Sequence, residues 1–454
     1  MRPRPARSLA LTLAACAIAV GCDTAPPPGE RPPNIVFVIM DDLGWDDAGE
    51  HTAADLETPH LDALARQGVR FTRAYAVAPI CSPSRAGLLT GRYPQRFGHE
   101  NNTGSIGRQQ QQWIGLPLTE HTLADELREA GYVTGMIGKW HLGVRSDFHP
   151  MERGFDEFFG FTPGHHAYHQ WSDKRQNPIL RGREPAHGDA YLTDAFTSEA
   201  VDFIERHADQ PFFLVVAYSA VHAPLVADPA RRARFDDLPA GPRQNLAAVL
   251  AAADDGLGAI DAALERTGVA EDTLTFVTSD NGSDGGGAGG LRGRKASLYE
   301  GGIRVPLLVR WPGHLPGDAR YAEIVSGLDL FATARAAAGG PASTEPLDGV
   351  DLAPFATGAE SGRPHEALFW RVGEQHAMRQ GRWKLHWVGE QPAALYDLIV
   401  DPGERRDLAA QHADQVAAMR RHYAQWEAPL ASPRWNWVPG QLRPVTPREP
   451  ADGR

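Results

Sequence analysis

The sequence predicts an α/β fold: a three-layer α/β/α catalytic domain followed by a smaller C-terminal α+β subdomain carrying an antiparallel sheet. Three observations point there. Continuous apolar, β-branched runs recur along most of the chain, separated by amphipathic helical segments, as expected of buried strands with helices on both faces. Four of those runs stop on charged or imidazole side chains, and open α/β sheets carry their sites beyond the carboxyl ends of strands. From about Pro364 the texture changes to short alternating segments joined by glycine turns.

Taken in order, the chain opens with Arg2, Arg4 and Arg7 and an apolar run from Leu9 to Gly21, which reads as a secretory signal and is too short for a comfortable transmembrane helix. It ends in Ala19-Val20-Gly21-Cys22, similar to a bacterial lipobox with alanine in place of the usual leucine. A polar, Pro-rich tether follows at once, which favours lipidation at Cys22 over ordinary cleavage near Ala15-Cys16-Ala17. The expectation is export from a bacterial cytoplasm, into the periplasm or onto a lipid anchor, with no other membrane contact. The expected division is 1–22 signal, 23–33 linker, 34–360 catalytic domain, 361–430 C-terminal subdomain and 431–454 a surface-bound or loose tail. With 45 basic against 57 acidic residues the formal charge is −12, which excludes general binding of nucleic acid or polyanions while leaving room for a local cationic pocket.

Asn34 to Met40 is the first buried strand, and it runs straight into Asp41-Asp42. Adjacent carboxylates at a buried strand end repel unless a cation or hydrogen bonds compensate, so a metal site is the preferred reading over a cap and a solvated acid. Thr58-Pro59 opens a helix with Leu61, Leu64 and Ala65 on one face, stopped by Gly68. A further helix spans 122–130, capped by Thr122 and closed by Gly131. The next strand, 132–137, leads to Gly138-Lys139-Trp140-His141. Phe155 to Phe161 reads as packing. His165, His166 and His169 lack the companions of a zinc site and read as a polar, substrate-facing loop.

A helix over 194–207 precedes the strand 212–217, which ends near His222-Ala223-Pro224. A long Ala- and Leu-rich helix, 244–266, precedes the strand 274–278, which delivers Asp280-Asn281-Gly282. A Gly-rich loop, Ser283 to Gly290, then leads to Lys295 and Glu300-Gly301-Gly302, and 305–309 forms a fifth strand. Asp41, Asp42, Asp280 and Asn281 offer only oxygen ligands, which suits calcium, or less well magnesium, rather than zinc. In the C-terminal part, 367–371, 376–379, 382–388 and 395–398 form the small sheet, with a final helix over 413–426 packed on it.

With Cys16 and Cys22 in the export segment, Cys81 is the one cysteine left for the folded body, so no disulfide framework can form there. It opens Cys81-Ser82-Pro83-Ser84-Arg85-Ala86-Gly87-Leu88-Leu89-Thr90-Gly91, a short helix in which Pro83 suits a first position and Gly91 a left-handed stop. A helix N-terminus favours an anion, and Arg85 lies one turn on along the same face. Local sequence leaves two readings equally open, a buried small residue or an oxyanion cradle.

This stretch resembles the C-x-P-S-R-x-x-x-L-T-G signature of type I sulfatases at every fixed position, and the resemblance extends to the alkaline-phosphatase-like superfamily. The likeness continues through Asp41-Asp42, Gly138 to Gly143, His222-Ala223-Pro224, Asp280-Asn281-Gly282, Lys295, Glu300-Gly301-Gly302 and Leu395-Tyr396-Asp397-Leu398. It implies a sulfuric ester hydrolase in which Cys81 is converted by a maturation enzyme to formylglycine, whose hydrate is the nucleophile. It implies calcium ligation by Asp41, Asp42, Asp280, Asn281 and the modified residue 81. Arg85 and Lys139 would hold the hydrate and the sulfate, His141 would take a proton from the remaining hydroxyl, His222 and Lys295 would bind sulfate and protonate the leaving alcohol, and Asp280 would act as base. The implied substrate is a sulfated carbohydrate or aryl sulfate. The competing readings are a phosphodiester or phosphonate ester hydrolase on the same scaffold and a non-catalytic binder of sulfated glycans. Asn101, Asn102 and His99, with the loop histidines, are candidate sugar contacts.

Overall fold

The computed structural model describes residues 31–48, 56–103, 114–171, 177–285, 289–340, 345–438 and 441–444; the export segment with Cys16 and Cys22, most of the tether and the end of the tail lie outside them. Its centre is a sheet of ten strands among the described residues. From one edge the order is 319–321, 69–71, 307–310, 273–279, 34–40, 212–218, 133–139, 157–161, 180–181 and 184–185. Asn34–Met40 pairs in parallel with Phe212–Tyr218 and Thr273–Ser279, and Val133–Lys139 in parallel with Phe212–Tyr218 and Glu157–Phe161. The four strands whose ends carry the charged motifs are therefore immediate neighbours running the same way. The fifth expected strand, Leu307–Arg310, turns antiparallel against Thr273–Ser279.

The central strands are largely apolar because both faces are covered. Val36, Val38 and Met40 face a cluster built with the helices Pro59–Gln67, Leu192–His207 and Pro242–Arg266. Ile35, Phe37 and Ile39 face the other way, onto the helices Cys81–Thr90, Leu123–Glu129 and Asp329–Ala337. Phe37 fixes that second face by edge-on contacts with Phe213 at 5.2 Å and Phe276 at 5.0 Å, and each such buried ring contributes about 1.5–3 kcal/mol.

Local signals explain most boundaries. Thr122 forms a full capping box with Asp125, and Gly131 stands at φ 90° as the stop requires. Pro83 does not open its helix: Cys81 does, with Ile80 as the cap residue, so the proline is the third helical residue. That position is tolerated because the first turn has no intrahelical acceptor for its N–H groups. Gly91 ends the helix at φ 64°, and a Cβ there would meet Phe331 at 2.9 Å.

The second sheet runs 367–372, 375–380, 383–388, 394–397, antiparallel throughout, with Gly381 at φ 55° in the expected turn. The helix Ala413–Glu427 packs on it through Met419 and Tyr423 against Phe369, Met378, Leu385 and Trp387. Among the described residues of the tail, Trp435 departs from the expected surface-bound or loose placement. Trp435 is fully buried, and its indole N–H donates to the Asn102 carbonyl at 3.0 Å. A large aromatic with a satisfied donor outweighs the proline- and arginine-rich composition around it.

Candidate active site

Cys81, Asp41, Asp42 and Asp280 converge on one point, with one potential ligand atom from each lying within 4.8 Å of all the others. The three aspartates are placed by strand ends, and Cys81 by the first position of its helix. The chain turns sharply after Met40: Asp42 takes a left-handed φ of 65°, its N–H donates to Asp280 Oδ1 at 3.2 Å, and Asp41 is pinned by backbone bonds to Ala220 and Val221. This turn sends the two adjacent carboxylates to different partners. Asp41 Oδ2 accepts from Lys139 Nζ at 2.5 Å, while Asp42 Oδ1 lies 2.6 Å from Lys295 Nζ and accepts from Asn281 Nδ2 at 2.7 Å.

Arg85 stands over Asp280, with Nε donating to Oδ2 at 2.8 Å and Nη1 donating to the Lys139 carbonyl at 2.8 Å. The Cys81 thiol lies 3.5 Å from Asp41 Oδ1, and Arg85 Nη2 reaches the same oxygen at 4.0 Å, so the cysteine and the arginine one turn later do share a face. His222 approaches from the remaining strand end, its Nε2 3.8 Å from Asp42 Oδ2. Its Nδ1 lies 2.6 Å from the Ala223 carbonyl, which sets Nδ1 as the protonated nitrogen and leaves Nε2 facing the site. His141 is buried at φ 62° and rests on Gly164, where a Cβ would come within 2.4 Å of Nε2.

Burial and charge together set the protonation states. Burial pushes the Cys81 thiol up to about 12, against the pull of Lys139 and Lys295, so the sulfur is held as a neutral thiol. Burial and the neighbouring cations Lys139 and Arg85 lower His141 well below its usual value and keep it neutral. Burial alone would raise Asp41, but Lys139, His222 and Arg85 hold it well below the carboxylate range. Asp280 moves up, by burial and by Asp41 beside it, despite Arg85.

The residues fit a hard divalent cation. The donor set is three carboxylates plus Asn281, whose buried Oδ1 has no hydrogen-bond partner although its Nδ2 is engaged. The three carboxylates face Arg85, Lys139 and Lys295, so their charges cancel. A divalent cation would leave the site two charges positive, suited to an anionic ligand.

Other polar residues serve the frame. Ser82 Oγ donates to the His141 carbonyl at 2.7 Å and meets His99 Nε2 at 2.7 Å, while Ser82 N–H donates to Asn102 Oδ1 at 3.0 Å. Asn101 Nδ2 donates to the Trp435 carbonyl at 3.0 Å, and His166 bonds backbone carbonyls through both ring nitrogens. Thus His99, Asn101 and His166 are buried and bonded inside the protein, which corrects the expectation of a sugar contact for those groups, while Asn102 is half-buried with its Oδ1 held by Ser82. His165 differs: its ring lies 5.4 Å from that of His222 at the edge of the site. Ser279, which the sequence did not single out, accepts from Leu43 N–H at 2.9 Å and donates to the Asn281 carbonyl at 2.8 Å, tying two strand ends together.

The sulfatase family profile matches residues 33–340. The chain belongs to the sulfatase family. It is a sulfuric ester hydrolase of the alkaline-phosphatase-like superfamily. A second profile, the C-terminal region of N-sulphoglucosamine sulphohydrolase, matches residues 293–426 of this sulfatase. It is 37% identical over 387 residues to N-acetylgalactosamine-6-sulfatase of Mus musculus, covering 78% of this chain and 72% of that one. It is 34% identical over 469 residues to human arylsulfatase A, covering 88% and 86%. Among solved structures, Ps i-CgsB in complex with k-i-k-neocarrahexaose superposes with a TM-score of 0.84 at 32% identity, covering 89% of this sulfatase and 95% of that chain.

Proposed function

We propose that this sulfatase removes sulfate from a sulfated carbohydrate, with residue 81 acting as formylglycine and calcium held by Asp41, Asp42, Asp280, Asn281 and residue 81. The observation that carries the reading is the convergence of three carboxylates and three cations on a buried, unpaired cysteine whose thiol is held neutral. A soft thiol is poorly matched to a set of hard oxygen donors, and an oxygen group made from the cysteine would match it. When present, the aldehyde hydrate supplies the attacking oxygen and the calcium ion stabilises negative charge on it and on the sulfate.

The other residues have separable tasks. Arg85 and Lys139 orient residue 81 and offset sulfate charge from the buried side. His141, neutral and buried, accepts a proton at residue 81 when sulfate leaves. Lys295 presents its ammonium toward the alcohol oxygen that departs and must gain a proton, and His222 faces the same oxygen through Nε2, which carries a proton to deliver only as the imidazolium. Asp280, moved up by burial, serves as base for the attack. The carbohydrate assignment draws on the substrate in the name of the N-acetylgalactosamine-6-sulfatase relative and on the neocarrahexaose bound to Ps i-CgsB. We further propose action after export, in the periplasm or on a lipid anchor at Cys22.

The test is inorganic sulfate release, by ion chromatography, from N-acetylgalactosamine 6-sulfate, a neocarrahexaose and an aryl sulfate, beside phosphate release from an aryl phosphodiester. Faster turnover of a sulfated sugar than of the phosphodiester supports the reading. Preference for the phosphodiester would replace it with the phosphoesterase alternative, and binding without release would make the protein a glycan binder.

A further inference from the structure

Lys295 sits on a segment gripped from two sides. On the catalytic side its N–H donates to the Ser283 carbonyl at 2.9 Å, and the Ala296 N–H donates to the Pro79 carbonyl at 2.8 Å. The segment therefore bridges the Asp280-Asn281 strand end and the approach to Cys81. Ala296 holds a left-handed φ of 69°, a conformation a non-glycine residue keeps only when its neighbours fix it.

The other grip comes from the C-terminal sheet. Gln375 Nε2 donates to the Ala296 carbonyl at 3.0 Å, and its Oε1 accepts from the Leu298 N–H at 3.3 Å. One planar amide thus holds a carbonyl and an N–H two residues apart, which needs a donor and an acceptor on the same group. Gln375 is itself fixed, paired in the sheet with Val372 and Val388. Behind it, Lys384 bridges the fully buried Glu300 and Glu404, at 3.0 Å to each, so the sheet cannot slide against the segment without breaking buried ion pairs.

We propose that Gln375 is a positioning residue for Lys295: through its amide, the C-terminal sheet sets where the Lys295 ammonium stands beside the reacting group. This rests on the sulfate-ester reading of the site. Gln375→Met keeps the side chain's shape and removes both hydrogen bonds, so it is the informative change.

The experiment uses the matured full chain as wild type, Gln375→Met, Lys295→Ala and the double variant. With an aryl sulfate, Gln375→Met lowers kcat/KM about tenfold and weakens inhibition by inorganic sulfate in step. In the Lys295→Ala background the same change alters kcat/KM by less than about twofold, because the group it positions is gone. Hydrogen exchange in residues 291–299 quickens in Gln375→Met, while residues 81–91 exchange as in the wild type. An equal Gln375→Met penalty in both backgrounds, or unchanged exchange in 291–299, overturns the proposal. If the wild type releases no sulfate from any ester, the sulfatase reading falls, and the exchange result alone decides whether Gln375 holds this segment.

Discussion

Replacing Lys139 with methionine removes a buried positive charge at nearly constant shape. Lys139 is fully buried, with its ammonium 2.5 Å from Asp41 Oδ2, and Asp41 is 1% exposed. At that separation and an effective dielectric constant of about 20, the attraction is roughly 7 kcal/mol. Part is offset because the lysine no longer has to be desolvated, and Arg85 Nη2 remains 4.0 Å from Asp41. The net loss expected for stranding one partner of a buried pair is about 3–5 kcal/mol. The assay is chemical unfolding with a chelator present. A pH series adds a second check. In the wild type Asp41 lies below the carboxylate range, since Lys139 and its cationic neighbours outweigh burial, so its contribution is full above the ordinary value and lost only as pH falls through the lower one. Without Lys139 the strongest cation opposing burial is gone, so Asp41 moves up from its lowered value and protonation relieves the variant before the wild type. The stability gap should narrow as pH falls into and below the carboxylate range. A loss under about 1 kcal/mol, or a gap independent of pH, would refute this account of the buried charges.

Three further outcomes follow from the site. Calcium at about 100 times its dissociation constant should stabilise the wild type by about 2.7 kcal/mol, and chelation should abolish the gain. Asn281→Leu, which removes the unpartnered Oδ1, should weaken calcium binding at least about tenfold by calorimetry; unchanged affinity would take Asn281 out of the donor set. Gly164→Ala should cut kcat about tenfold or more with little change in melting temperature, because its Cβ would collide with His141 Nε2. Full activity in that variant would show that the His141 ring position does not matter.

The legible parts of the sequence were those where chemistry and periodicity changed at the same residue. Asn34–Met40 is apolar to its last residue and then meets Asp41-Asp42, and Thr273–Ser279 likewise meets Asp280-Asn281. A two-sided buried strand cannot carry charge, so the charged residues had to lie at its end. What did not show was how polar groups find partners across the chain. His99 and Asn102 look like sugar contacts in one dimension, but both brace Ser82 beside Cys81, an arrangement that exists only once the loop folds onto the nucleophile helix. Trp435 lay hidden for the same reason. Its pocket is made by His99 and Asn102, more than 300 positions earlier, while the local composition suggested a surface tail. The antiparallel turn of Leu307–Arg310 was equally silent, since a fully buried strand has the same pattern in either direction.

The central claim is that residue 81 acts as an aldehyde made from cysteine. The most direct measurement takes one preparation, determines the mass of the peptide containing residue 81, and follows sulfate release from a sulfated saccharide by the same material and by Cys81→Ala. The account predicts release in proportion to the fraction carrying aldehyde in place of thiol, and none from a folded Cys81→Ala protein. Full release by protein whose residue 81 remains a thiol, or by Cys81→Ala, would contradict it.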